Sequence, residues 1–506
     1  MRRCSAVHSS ALALLAAMLL AAAPRPTPAP AAPNADAVTQ HTISLGGKSY
    51  PYTARAGTIA LDDDKGHTTC RMFYTAFTGD GADARTRPVT FLYNGGPGSS
   101  TIWLRMGSFG PVRVQVGDGR PTPGAPFNLI ENQYSLLDRT DLVFVDAPDT
   151  GFSRIVPPGK PSDFFGADQD VKAFGQFVSR YDTTFGRWNS PKFLFGESYG
   201  TPRSAMLVRY LQRQGIGING VVLLSSILDF SLDWDVNFTP TAIGGGDWAF
   251  PLYLPTEAAA SWYHDKLPGP STTLPALLPQ VEDFAMHEYL NALAQGAKLS
   301  PAAYEDVVAK LAQYTGLSEG YIRQSNLRIP YWRYSTQLLR NTGEATGRYD
   351  ARYTSYMLDR VNDRPDFDPT DAAIDSAFVA GGNYFVRQLL GYQTTLIYRP
   401  MTSLFRQWDW KHNGNLPTNT AQDLASAMTY DPNLRIFSGN GYYDLATPFF
   451  ATVYTLNHLN IPLQLQKNIS YGFYESGHMV YLHPQALAQF HDDLERWYAE
   501  TLQAGR

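Results

Sequence analysis

The stretch Phe193 to Gly200, FLFGESYG, limits the fold more than any other part of the chain. An apolar, strand-like run leads directly into the G-x-S-x-G pattern Gly196-Glu197-Ser198-Tyr199-Gly200. It is followed over Thr201 to Gln214 by apolar residues at helical spacing: Met206, Leu207, Tyr210 and Leu211. A strand-to-helix turn this sharp holds its central residue in a strained conformation. Glycine on either side removes Cβ atoms that would collide with the neighbouring strand and helix. The placement, more than the string itself, makes Ser198 a candidate nucleophile.

The surrounding pattern repeats the unit. Thr42 to Phe77 alternates polar and apolar residues, as an initial β-meander does, and Gly79 to Arg87 is a polar, turn-rich break. Pro88 to Tyr93, Thr140 to Val145, Lys192 to Phe195 and Val221 to Leu224 are short β-branched and aromatic runs, which predict buried strands of a mainly parallel sheet. After Asp229 the alternation stops. Residues 231–399 contain Pro-rich segments, helical stretches (Leu274 to Gln295, Pro301 to Tyr314) and an aromatic cluster at Tyr331 to Tyr334, and predict an inserted, mostly helical cap. The sheet is expected to resume in 400–506 with Leu434 to Phe437 and Ile469 to Phe473, closing on a helix over Pro484 to Leu502. The fold class is therefore α/β, with the first part of the core in 37–230.

Composition narrows the classes of partner. The 41 basic and 46 acidic residues are nearly balanced and form no long run of one sign, so no nucleic-acid or anionic-membrane footprint is expected. Arg2 and Arg3 precede an apolar stretch, Ala11 to Ala23, and then a Pro/Ala-rich tract to Pro33. The apolar run is shorter than the ~20 residues of a spanning helix, so residues 1–36 are expected to be a secretion signal and a disordered linker. The mature protein is expected to be secreted or periplasmic, without stable membrane insertion. Cys4 falls inside that signal, leaving Cys70 alone, so no internal disulfide is possible. A lone cysteine with no His or acidic cluster beside it predicts a packed side chain, and no metal or cofactor is expected.

A serine hydroxyl needs a positioned base, and the base needs an orienting acid. On a turn of this kind both follow the serine, in the order acid then His. His478 sits in a Gly-containing loop, Glu475-Ser476-Gly477-His478-Met479, after a strand-like run; His483 stands beside Pro484, where packing or capping is expected of it. Asp444, within SGNGYYDLATP, follows the run Leu434 to Phe437, whereas Asp431 precedes it and falls at the wrong end.

Four segments resemble the serine carboxypeptidase family: FLYNGGPGSS from Phe91, ENQYSLLDRTDLVFVDAPDTGFS from Glu131 to Ser153, GESYG from Gly196, and the pair SGNGYYDLATP and SGHM. The resemblance implies an α/β-hydrolase fold with an inserted cap and hydrolysis of peptide C-terminal residues. It makes Ser198, Asp444 and His478 the triad and the amides of Gly96 and Tyr199 the oxyanion hole. It also makes Asn94, Gly95 and Glu197 substrate-binding residues, Asn94 and Glu197 holding the peptide's free carboxylate. The Gly-rich run lacks the Lys and Ser/Thr of a phosphate loop. Three positions depart from the family pattern: Leu92 replaces a Trp, Ser108 a second Glu and Ser99 a Cys, and Gly441 to Tyr443 lengthen the Asp loop. An esterase or acyltransferase on the same triad is the alternative reading. Two sequons, Asn237-Phe238-Thr239 and Asn468-Ile469-Ser470, are potential glycosylation sites.

Overall fold

The computed structural model of the protein describes residues 35–232 and 246–504. The expected secretion signal and the Asn237 sequon lie outside the described residues. Nine strands run in sequence through the main sheet: β1 Ala37–Leu45, β2 Lys48–Asp62, β3 Thr68–Gly79, β4 Val89–Tyr93, β5 Asp141–Val145, β6 Lys192–Glu197, β7 Gly220–Leu224, β8 Arg435–Gly441 and β9 Ile469–Tyr474. Their spatial order is β1-β2-β3-β5-β4-β6-β7-β8-β9, with a two-residue strand, Arg154–Ile155, pairing with β3. The first three strands are the antiparallel meander, β3 pairs antiparallel with β5, and every pairing from β5 to β9 is parallel.

The central strands are buried on both faces, which is why they read as continuous apolar runs instead of alternating ones. Their side chains still alternate. Phe91, Leu194, Val221 and Leu223 enter one core with the helices α2 Ala167–Phe185 and α3 Gly200–Arg213. Leu92, Phe193, Phe195 and Val222 enter the other, with α1 Ile102–Gly107 and the C-terminal helix Pro484–Ala504. The sheet is thus covered on both sides, as an α/β-hydrolase sheet is.

The chain leaves β4 toward β5 on one side and leaves β6 toward β7 on the other. The topological switch point therefore falls between β4 and β6, where open parallel sheets place their ligands. The carboxyl ends of these two strands carry Asn94 to Gly98 and Ser198.

The inserted block divides in two. The helices Ala249–Tyr263, Leu274–Phe284 and Pro301–Thr315 form a separate apolar cluster that also receives Tyr443 and Leu445 from the loop after β8 and Phe449 from the helix Phe449–Asn457 that follows it. A π-helical turn, Ala285–Tyr289, continues the second of these into Leu290–Gln295, so the expected helical stretch is one run with an extra residue looped into its middle. Helix Pro369–Tyr384, by contrast, packs Ile374, Ala377 and Phe378 against Ile102 and Met106 in the core of the second sheet face.

Two local expectations meet specific structure. The extra residues Gly441 to Tyr443 extend β8 and its pairing: Tyr442 N–H donates to Tyr474 O at 2.9 Å and Tyr443 N–H to Ser476 O at 3.0 Å. The amide of Asn468 donates to Pro432 O at 2.7 Å and accepts from Arg435 at 2.7 Å, and the residue is buried. A glycan at this second sequon would cost both bonds.

Candidate active site

Ser198 follows β6 with φ of +60°, a left-handed conformation that a non-glycine residue adopts only under constraint. The constraint is visible on both sides. Its N–H donates to Leu224 O of β7 at 3.0 Å, and a Cβ on Gly196 would lie 1.9 Å from Gly200 O. No other residue type fits there without opening the turn.

The two partners come from the ends of β8 and β9. His478 Nδ1 lies 2.8 Å from Asp444 Oδ2, with both side chains at most 2 % exposed. A carboxylate only accepts, so Nδ1 carries the proton and Nε2 remains as the acceptor. Asp444 is itself held by Ala446 N–H at 2.8 Å, Thr447 N–H at 3.0 Å and Thr447 Oγ1 at 2.7 Å. Burial disfavours the imidazolium, but the charge and hydrogen bond of Asp444 and the charge of Glu197 outweigh it, leaving the His478 pKa above its ordinary value. The Tyr349 ring packs 5.2 Å from the imidazole, and His478 N–H donates to Tyr349 O at 2.6 Å. His483, as expected, packs elsewhere, 2.8 Å from Asp118, and Asp431 caps the helix before β8.

Asn94, Gly95, Gly96, Glu197, Ser198, Tyr199 and His478 line one cavity of about 560 Å³. Asp444 stands behind His478. The Gly-rich loop lies directly on the nucleophile turn: a Cβ on Gly95 would fall 2.2 Å from Tyr199 N and 2.7 Å from Gly200 N. Glu197 is buried beside the nucleophile, hydrogen-bonded by Tyr481 Oη at 2.9 Å, and the Asn94 amide lines the same cavity. Asn94 Oδ1 accepts from Leu104 N–H at 3.1 Å, so its NH2 is the group that faces Glu197. Burial pushes Glu197 up to about 7, against the opposing pull of His478 and Tyr481. This is a carboxyl that carries a proton near neutrality.

Leu92 and Ser108 are two of the departures from the family pattern. Both are fully buried, and neither lines the cavity; Ser108 Oγ donates to Leu104 O at 2.6 Å.

Other residues line the cavity that the sequence did not single out: Trp103, Arg348, Asp371 and Asp375, and the loop residues Met401 to Phe405 and Trp410. Asp371 is pushed up to about 8 by burial and by Asp368 and Asp375, with Arg348 opposing, and Asp375 to about 6 by burial. The loop runs along the Gly-rich segment, Ser100 N–H donating to Pro400 O at 2.9 Å and Thr402 N–H to Gly98 O at 2.7 Å. Among the described residues, His491, Asp492 and Glu495 are the one group spaced to share a metal ion, but Glu495 already pairs with Arg139.

Sheet order, elbow and covering helices together define an α/β-hydrolase. Within that class, residues 49–228 match the serine carboxypeptidase family model, so the resemblance carried by the motifs is borne out over that segment. The chain is 25% identical over 189 residues to "Serine carboxypeptidase-like 36" of Arabidopsis thaliana, covering 36% of each protein. It is 27% identical over 191 residues to "Carboxypeptidase Y homolog A" of Talaromyces stipitatus, covering 37% of this chain and 31% of that one. It thus spans about a third of the length of these curated relatives. A prohormone-processing carboxypeptidase from Saccharomyces cerevisiae shares the fold, with a TM-score of 0.52 at 15% identity over 89% of this chain and 92% of that one. No described helix is long and apolar enough to cross a membrane.

Proposed function

We propose that the chain is a secreted or periplasmic serine-type carboxypeptidase that releases C-terminal residues of peptides through an acyl-enzyme on Ser198. The observation that carries this is Glu197: a buried carboxyl near pKa 7, in the same cavity as Asn94 and adjoining the nucleophile. Two carboxylates in one small site cannot both be ionised without strong repulsion. A protonated Glu197 is able to donate to a peptide's terminal carboxylate, and an ionised one repels it.

In this reading Ser198 Oγ attacks the last peptide carbonyl while His478 Nε2 takes its proton and Asp444 holds the imidazole by Nδ1. The amides of Gly96 and Tyr199 stabilise the oxyanion. The proton on His478 passes to the departing amine and the C-terminal amino acid leaves. Water, deprotonated by His478, then hydrolyses the ester. The alternative, an esterase on the same triad, draws support from Leu92 and Ser108, which add no further group to the carboxylate site.

The test is hydrolysis of matched peptides with free and amidated C-termini beside a simple ester, with Ser198→Ala as control. Preference for the free acid supports the proposal. Equal cleavage of both peptides, or turnover of the ester alone, rejects it.

A further inference from the structure

The oxyanion donors come from two segments distant in sequence, the loop after β4 and the start of α3, and one buried side chain ties the two together. Arg203, on the second turn of α3, is fully buried. Its Nη1 donates to the backbone carbonyl of Asn94 at 2.8 Å and its Nε to Asp170 Oδ2 of α2 at 2.6 Å. Its guanidinium lies 4.3 Å from the Phe174 ring centre, 5.3 Å from that of Tyr93 and 5.5 Å from that of Tyr199. Two of those rings belong to the segments being joined, Tyr93 preceding Asn94 and Tyr199 following Ser198.

A planar, permanently charged fork stacked on rings is held in one orientation, and so it transmits position in a way a flexible ammonium does not. Loop and helix also leave each other no room. A Cβ on Gly200 would lie 2.7 Å from Tyr93 O, just as one on Gly95 would meet Tyr199 N. The contact at Asn94 O therefore sets how the peptide planes of Asn94, Gly95 and Gly96 face the nucleophile turn. Asp170 keeps the charge of Arg203 compensated where no water reaches it.

We infer that Arg203, oriented by Asp170, is a positioning residue that fixes the Asn94-Gly95-Gly96 loop against Ser198 and Tyr199 and so sets the geometry of the oxyanion hole. This rests on the assignment of that hole in the proposed function. The strut is indifferent to what the substrate carries at its C-terminus, so its loss must slow ester and peptide hydrolysis alike.

The experiment uses Arg203→Lys and the double variant Asp170→Asn/Arg203→Gln, which removes both charges and leaves neither unpaired. Active sites are counted by stoichiometric organophosphonate labelling of Ser198, so that loss of folded protein does not enter kcat. A displacement of the loop by a fraction of an ångström is expected to lower kcat per titrated site by about 10- to 100-fold on both substrates, with little change in the ester's KM. Arg203→Lys, able to reach only one of the two acceptors, is expected to fall between. A double variant whose kcat per site stays within about twofold of the wild type overturns the inference, whatever happens to its Tm. If the double variant does not fold, Arg203→Lys decides: lowered kcat at unchanged Tm supports the strut, and wild-type kcat overturns it. A wild-type chain that cleaves the ester and no peptide loses the carboxypeptidase reading, and this comparison then stands on the ester alone. If neither substrate turns over, the rate of phosphonate labelling gives the same comparison.

Discussion

Replacing Glu197 with Gln separates the two groups that set the pH dependence of peptide cleavage. Burial raises Glu197 from 4.5 to about 7, the charge of His478 and the Tyr481 hydrogen bond opposing. The shift corresponds to on the order of 3 kcal/mol favouring the protonated form. The sign follows directly. Below about pH 7 the carboxyl is protonated and can donate to the terminal carboxylate, and by pH 8 about nine molecules in ten carry an anion there instead. Each further unit weakens capture of a free-acid peptide tenfold, so KM for that peptide should rise from pH 7 to 9 while KM for the amidated peptide stays level. On the other limb His478 must be neutral to act as base, and its raised pKa places that limb above the ordinary histidine value. Glutamine keeps a donor at every pH. The variant should lose the alkaline rise in KM. The assay is kcat and KM for matched free-acid and amidated peptides between pH 4.5 and 9 in both proteins. An alkaline rise in KM that persists in Glu197→Gln refutes the reasoning, as does a wild-type KM that is flat across neutrality.

Two further outcomes follow from the packing. Glu257 is fully buried in helix Ala249–Tyr263, its Oε1 has no hydrogen-bond partner, and burial pushes it up to about 8. The unfolded chain ionises near 4.5 while the folded one stays protonated, so stability falls between those pH values by on the order of 5 kcal/mol. Glu257→Gln should match the wild type in urea unfolding at pH 4.5 and exceed it at pH 8.5; an equal difference at both pH values refutes this. Gly95→Ala sets a Cβ 2.2 Å from Tyr199 N, backbone against backbone, and one of the two must move. It should cost about 100-fold in kcat per titrated site on ester and peptide, and wild-type kcat in the folded variant would show that the loop does not touch the elbow.

The parts legible in the sequence are those a local constraint writes there. The elbow needs glycines at fixed places, the buried strands need unbroken apolar runs, and the order of Ser198, Asp444 and His478 follows from strands whose carboxyl ends share one edge. The cavity wall was not legible, because Trp103, Arg348, Asp371, Asp375 and the loop at Met401 to Phe405 are brought together by tertiary packing with no common period. Nor was the bond from Tyr481 to Glu197, which depends on a single 3-10 turn, Val480–Leu482, after His478. Arg203 and Asp170 are a different case, since each leaves a trace. Asp170, Phe174, Phe177 and Tyr181 recur at i, i+4, i+7 and i+11, so the carboxylate falls on the apolar stripe of its helix, and all four are buried. Arg203 shares a face with Leu207 and Leu211, also buried. One acidic and one basic residue, each on the core stripe of a helix flanking the same strand, have little alternative to meeting, because a buried charge without a partner is not tolerated. Their chemical effect was still beyond reach, since it lies in the third contact, to a backbone carbonyl some hundred residues earlier that any residue type could have supplied. A side chain that acts on the backbone of the site leaves its charge in the sequence and its target only in the fold.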